Sequence, residues 1–139
     1  MKTTESPPTV LRSLLVVEDN RDVADSLAFI LRNNGYNVSI AYDGDQAVRM
    51  VEDSEYDVIL CDIGLPGRSG YDVAAYIRRV RGSAPFVVAV SAFSTDNVKE
   101  NASRAGFNRF FSKPADPIEL ERVLREHASK KTDVLAVPK

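Results

Sequence analysis

The chain has a single cysteine, Cys61, so an internal disulfide is excluded and a reducing compartment fits its thiol usage. Neither sign of charge is in excess: 18 Lys and Arg face 20 Asp and Glu. That balance argues against direct nucleic-acid binding and against a polyelectrolyte tail. No apolar run approaches the roughly 18 to 20 residues that would span a membrane. The first eight residues, Met1-Lys2-Thr3-Thr4-Glu5-Ser6-Pro7-Pro8, lack the apolar core of a signal peptide. Internal repeats and low-complexity segments are absent as well. These absences predict one ordinary soluble, cytoplasmic domain, and 139 residues suffice for a single buried core.

Short apolar runs alternate with helical patterns, which predicts an α/β fold of parallel βαβ units with helices on both faces of the sheet. Helix 1 should follow Asn20 and bury Val23, Leu27, Ile30 and Leu31, spaced i, i+4, i+7 and i+8, and close at Asn34-Gly35. A short strand is expected over 37–41 and a helix over 45–53 that buries Ala47, Val48 and Val51. The third helix, 70–81, should bury Val73, Ile77 and Val80 and end at Gly82. The fourth, 95–104, has almost no apolar stripe, which suggests a mobile element. A last strand over 109–112 precedes a helix after Pro117 that should bury Ile118, Val123 and Leu124. Residues 1–10 and 129–139 are expected to be disordered, leaving a domain over 11–128.

Polar groups fall where the apolar runs end. Glu18-Asp19 follows Leu14-Leu15-Val16-Val17, Asp62 follows Val58-Ile59-Leu60-Cys61, Ser91 follows Phe86-Val87-Val88-Ala89-Val90, and Lys113 follows Phe110-Phe111-Ser112. Open α/β sheets bind ligands at the carboxyl ends of their strands, so these four ends would line one crevice. Two or three acidic oxygens suit a hard divalent cation such as Mg²⁺, completed by phosphate oxygens. Aspartate is a covalent nucleophile in phosphoryl transfer, lysine supplies a point charge, and a serine hydroxyl donates a hydrogen bond. The inventory suits an acyl phosphate on Asp62. Cys61, on the opposite strand face from Asp62, reads as a small core residue. His127, placed in the last turn of the final helix, would suit the helix dipole; without an ATP-binding motif it is not a kinase histidine.

The stretches Val16-Val17-Glu18-Asp19-Asn20, Cys61-Asp62-Ile63-Gly64-Leu65-Pro66-Gly67, Val90-Ser91-Ala92 and Phe111-Ser112-Lys113-Pro114, in this order, resemble the receiver domains of bacterial two-component response regulators. The resemblance implies a flavodoxin-like doubly wound (βα)5 sheet of order 2-1-3-4-5. It implies that Asp62 takes a phosphoryl group from a phosphohistidine on a sensor histidine kinase or histidine phosphotransfer protein. Glu18, Asp19, Asp62 and the carbonyl of Gly64 would hold Mg²⁺, Lys113 would pair with the phosphoryl group, and the Lys113-Pro114 bond would be cis. Ser91 and Phe110 would form the switch that alters the surface of helix 4, strand 5 and helix 5 for a downstream protein target. Gly64 and Phe93, which depart from polar residues common in the family, would tune dephosphorylation. The kinase would meet the face near residues 20–25 and the loop after Lys113, and the protein would be a monomer or a phosphorylation-dependent dimer.

Rival readings are weaker. A haloacid dehalogenase-like phosphatase needs a second aspartate two positions after its nucleophile, where this chain has Gly64. A GTPase needs a Gly-rich loop with Lys-Ser/Thr after the first strand, which is missing. The remaining alternative is a phosphorylation-independent interaction module on the same fold.

Overall fold

The computed structural model describes residues 12–136, so the expectation for residues 1–10 lies outside it. Five strands, β1 (Ser13–Val17), β2 (Asn37–Ala41), β3 (Val58–Asp62), β4 (Phe86–Ser91) and β5 (Arg109–Ser112), form one parallel sheet of order β2-β1-β3-β4-β5. Five helices connect and flank them: α1 (Arg21–Asn33), α2 (Gly44–Asp53), α3 (Gly70–Arg81), α4 (Asp96–Ala105) and α5 (Pro117–Ala136). The flavodoxin-like order expected from the resemblance is the order observed.

Strand periodicity divides the core in two. Leu15, Val17, Ile59, Cys61, Val87 and Ala89 face a cluster that includes Ala47, Val73, Ile77 and Ala102 from α2, α3 and α4. Their neighbours Leu14, Val16, Val58, Leu60, Phe86 and Val88 face the cluster of Ala24, Ala28, Leu31, Leu120 and Leu124 from α1 and α5. Burial on both faces explains why these strands read as continuous apolar runs.

Short polar side chains start the helices. Asn20, Asp43, Ser69 and Thr95 each accept a hydrogen bond from the backbone N–H three residues on, satisfying a donor that the helix itself leaves free. Asn20 is therefore the cap of α1, leaving the Asp19 carboxylate to the site. Gly70 begins α3 against the end of β3: a Cβ there would lie 2.4 Å from the Asp62 carbonyl oxygen and 2.6 Å from Ile63 Cα. Only glycine allows this helix to start so close to the β3 end.

Several expected core residues lie elsewhere. In α1 the buried side is Ala24, Ala28 and Leu31; Val23 is 45% exposed, and Leu27 and Ile30 are half-buried. Two alanines let the helix approach the sheet and turn the larger stripe sideways. Val48 is half-buried and Val80 exposed, with Ala74 joining Val73 and Ile77 in the core. Ile118 is 82% exposed, and Leu120 takes its place beside Val123 and Leu124. The helix α5 runs to Ala136, past the end expected at Ala128, so the tail expected from residue 129 is helical over 129–136; residues 137–139 lie outside the description. This also moves His127 out of the last turn. Its ring stacks on Phe86 with centroids 3.9 Å apart, and its Nδ1 lies 3.4 Å from an Arg12 guanidinium nitrogen.

Candidate active site

The carboxyl ends of β1, β3, β4 and β5 bring Glu18, Asp62, Ser91 and Lys113 together, as the sequence predicts. Glu18 and Asp62 are 6% and 7% exposed and Ser91 is 2% exposed, whereas Asp19 is exposed. Burying two carboxylates is costly unless they are paired and hydrogen-bonded. Both are: Lys113 Nζ donates to Glu18 Oε1 at 2.7 Å and to Asp62 Oδ2 at 2.9 Å. The second oxygen of each carboxylate accepts a backbone N–H, from Asn20 at 3.0 Å for Glu18 and from Gly64 at 3.0 Å for Asp62. Burial pulls the Lys113 pKa down, but its hydrogen bonds and charge attraction to Glu18 and Asp62 outweigh this and raise it.

Carboxylate oxygens of Glu18, Asp19 and Asp62 lie within 4.8 Å of one another. Three negative charges face one lysine, and the donors are hard oxygens. Both features fit a divalent cation of the magnesium type. Gly64 sits beside Asp62 with room to spare: a Cβ there would lie 3.8 Å from Asp62 Oδ1. Phe93 is 71% exposed, and its N–H donates to Ser91 Oγ at 3.0 Å. Phe110 is half-buried against the α2–α4 side of the core, with Lys99 Nζ 5.9 Å from its ring centroid. Cys61 is fully buried with its thiol pKa pushed up by burial and by the charges of Asp62 and Glu18, in keeping with a packing residue. The Lys113-Pro114 bond is cis.

A cavity of about 430 Å³ opens beside Asp62 and Lys113, between α1 and the loop leading into α5. Val23, Leu27 and Ile30, expected in the core, line it with Pro114, Ala115 and Pro117. The sequence held a signal for this: α1 carries two apolar stripes, 23/27/30 and 24/28/31, and only one can face the sheet.

Among the described residues no helix is long and apolar enough to cross a membrane. The chain resembles an uncharacterised 14.6 kDa protein of Leptolyngbya boryana, 29% identical over 115 residues that cover 82% of this chain and 88% of that one. Among solved structures it is similar to the receiver domain of sensor histidine kinase PA1611 from Pseudomonas aeruginosa PAO1, which has a magnesium ion coordinated in its active site cleft. That match has 36% identity and a TM-score of 0.77 over 84% of this chain and 97% of that one. A CheY-like receiver domain protein from Methanospirillum hungatei JF-1, at 23% identity, shares the fold with a TM-score of 0.84 over 89% and 98% of the two chains. The family model of the response regulator receiver domain matches residues 14–125. Sheet order, the polar strand ends and this match over most of the chain agree, and the protein belongs to the response regulator receiver domain family.

Proposed function

We propose that this receiver domain is a phosphoacceptor switch in which Asp62 takes a phosphoryl group from a phosphohistidine of a sensor histidine kinase or a histidine phosphotransfer protein. The observation that carries the reading is the buried Asp62 carboxylate held 2.9 Å from the Lys113 ammonium, next to the carboxylates of Glu18 and Asp19. An Asp62 oxygen forms a bond to phosphorus as the phosphorus–nitrogen bond of the phosphohistidine breaks and its electron pair leaves with the imidazole, while the ammonium of Lys113 offers charge to a phosphoryl oxygen. Glu18, Asp19, Asp62 and the Gly64 carbonyl are the groups that would hold Mg²⁺, which when bound would neutralise charge on the transferring group. The protein acts on itself rather than turning over an external substrate, and its setting is the cytoplasm, where a kinase delivers the phosphoryl group.

Ser91 and Phe110 are the proposed switch pair. Movement of the Ser91 hydroxyl toward the phosphoryl group gives up the bond it accepts from the Phe93 N–H, and the half-buried Phe110 fills the space released. That exchange biases α4, β5 and α5 toward the surface read by a downstream protein. Gly64 and Phe93 offer no side-chain hydrogen bond to orient an attacking water, so dephosphorylation is slow.

Intact mass spectrometry after incubation with acetyl phosphate tests the reading. A Mg²⁺-dependent gain of one phosphoryl group, lost in Asp62→Asn, is the expected outcome. No gain in the wild type would overturn it in favour of a phosphorylation-independent interaction module.

A further inference from the structure

Four of the five strands end at a residue of the site, and β2 does not. It leads instead into α2, whose first residue, Gly44, lies against the loop between β3 and α3. A Cβ on Gly44 would lie 2.5 Å from the Arg68 carbonyl oxygen, 2.9 Å from Arg68 Cβ and 3.3 Å from the Arg68 carbonyl carbon. Oxygen and carbon there are backbone, so any side chain at position 44 must push the loop and α2 apart. The helix gains nothing from glycine at this point, since alanine is the better helix former. Arg68 Nε also donates to Asp45 Oδ1 at 2.8 Å, but that pair is exposed and contributes little, so the bare backbone of Gly44 sets how close the loop comes.

The same loop carries Gly64. Its near end is tied to the sheet: the Ile63 N–H donates to the Val90 carbonyl at 3.1 Å, the Gly70 N–H to the Ile63 carbonyl at 2.9 Å, and the Gly64 N–H to Asp62 Oδ1 at 3.0 Å. Ile63 and Leu65 are buried in the cluster under α2, α3 and α4. Arg68, at the far end, is where α2 meets the loop. We infer that Gly44 is a positioning residue for the metal site: by admitting the Arg68 backbone it sets where the Gly64 carbonyl stands relative to the Asp19 and Asp62 carboxylates. The inference rests on the reading of those groups as Mg²⁺ ligands, and it gives α2, which supplies no ligand, a part in the site. Mg²⁺ demands near-octahedral geometry, whereas Ca²⁺ accepts six to eight oxygens in flexible arrangements. Displacing one carbonyl therefore penalises Mg²⁺ far more than Ca²⁺.

Amide NMR titrations of the full chain with Mg²⁺ and, separately, with Ca²⁺ test this without any phosphodonor. Gly44→Ala should raise the Mg²⁺ Kd by about fivefold or more and the Ca²⁺ Kd by less than about twofold. Before metal is added, the Gly64 and Arg68 amide signals should shift in this variant while those of Leu15 and Ile59 stay in place. Val51→Ala, about two turns further along α2, loosens the helix in the core without reaching the loop. It should lower the urea midpoint and leave both Kd values within about twofold of wild type. Arg68→Gly decides the matter if Gly44→Ala does not fold: it removes the Cβ that rests on Gly44 and frees the loop, and should raise the Mg²⁺ Kd about threefold with a smaller effect on Ca²⁺. Equal weakening of both cations in Gly44→Ala would overturn Gly44 as a positioning residue and leave the metal site standing. So would an unchanged Mg²⁺ Kd in that variant, or in Arg68→Gly where Gly44→Ala is unfolded, and so would a loss of Mg²⁺ affinity in Val51→Ala as large as that in Gly44→Ala. A wild type that binds neither cation would overturn the metal reading and this inference together.

Discussion

The two ends of the sheet are built on opposite principles. At the carboxyl end Lys113 is shared between Glu18 and Asp62, the Asp19 carboxylate is exposed, and the Phe93 ring projects into solvent. At the amino end arginines are tied to backbone carbonyls. Arg78 donates to Gly106 at 2.9 Å, Gly82 at 2.9 Å and Pro85 at 3.0 Å, and to Asn108 Oδ1 at 2.7 Å. Asn108 Oδ1 in turn accepts the Val87 N–H, and Arg81 caps α2 through the Val51 and Ser54 carbonyls. One end spends its charge on holding the chain. The other crowds carboxylates, a repulsion that a bound divalent cation would relieve. Under the proposed switch, a domain that changes shape at one edge would keep its fold by fixing the other.

The largest break in this contrast should come from Arg78→Met. It removes four charge-assisted hydrogen bonds and leaves carbonyls short of a donor, for a loss of about 3 kcal/mol in urea unfolding. The rate of Asp62 phosphorylation, measured well below the unfolding midpoint, should stay within about twofold of wild type. A large rate loss would erase the division of labour between the two ends.

Lys113→Met comes next. It leaves two buried carboxylates without their cation and should cost about 2 kcal/mol in the metal-free protein at neutral pH, with most of the phosphorylation rate lost as well. The pH dependence has a definite sign. The folded Lys113 pKa lies above the ordinary 10.5, so its contribution to stability is whole below that value and fades as pH rises through the folded one. The stability gap between wild type and Lys113→Met should therefore narrow only above pH 10.5, as alkaline urea titrations would reveal; narrowing near neutrality would contradict the pairing.

Much of this was legible in the chain. The polar residues at four strand ends located the site because a parallel sheet aligns its carboxyl ends, and the helix starts expected from the apolar patterning lie within a residue or so of those observed. Burial on α1 was not legible, because apolar spacing alone cannot say which of two stripes faces the sheet when the other is alanine. Ile118 misled for a related reason: Leu120 and Leu124 supply the contact, and the first turn of α5 faces out. Arg78 carried no periodic signal at all, since its partners Gly82, Pro85, Gly106 and Asn108 meet only once the chain has folded.

Smaller effects sharpen the carboxyl end. Gly64→Asn or Phe93→Glu should shorten the phosphoryl half-life by about threefold to tenfold by giving the attacking water a hydrogen-bond partner. The Gly64 position has space for the new side chain, with its Cβ 3.8 Å from Asp62 Oδ1. Mass spectra taken during decay would measure the half-life, and an unchanged value in both variants would remove these positions from the account. Phe110→Tyr should do least, shifting the balance between the two switch states by less than about 1 kcal/mol. Amide shifts of α4 and β5 before and after phosphorylation would register it.

The most direct measurement traps the acyl phosphate by reduction. Borohydride converts an aspartyl phosphate to homoserine, and peptide sequencing by mass spectrometry then reads the position. After incubation with Mg²⁺ and acetyl phosphate, homoserine at position 62 and at no other carboxylate is the result expected. Homoserine at Asp19 or at any other aspartate instead, or none anywhere, would contradict the assignment of Asp62 as the phosphoacceptor.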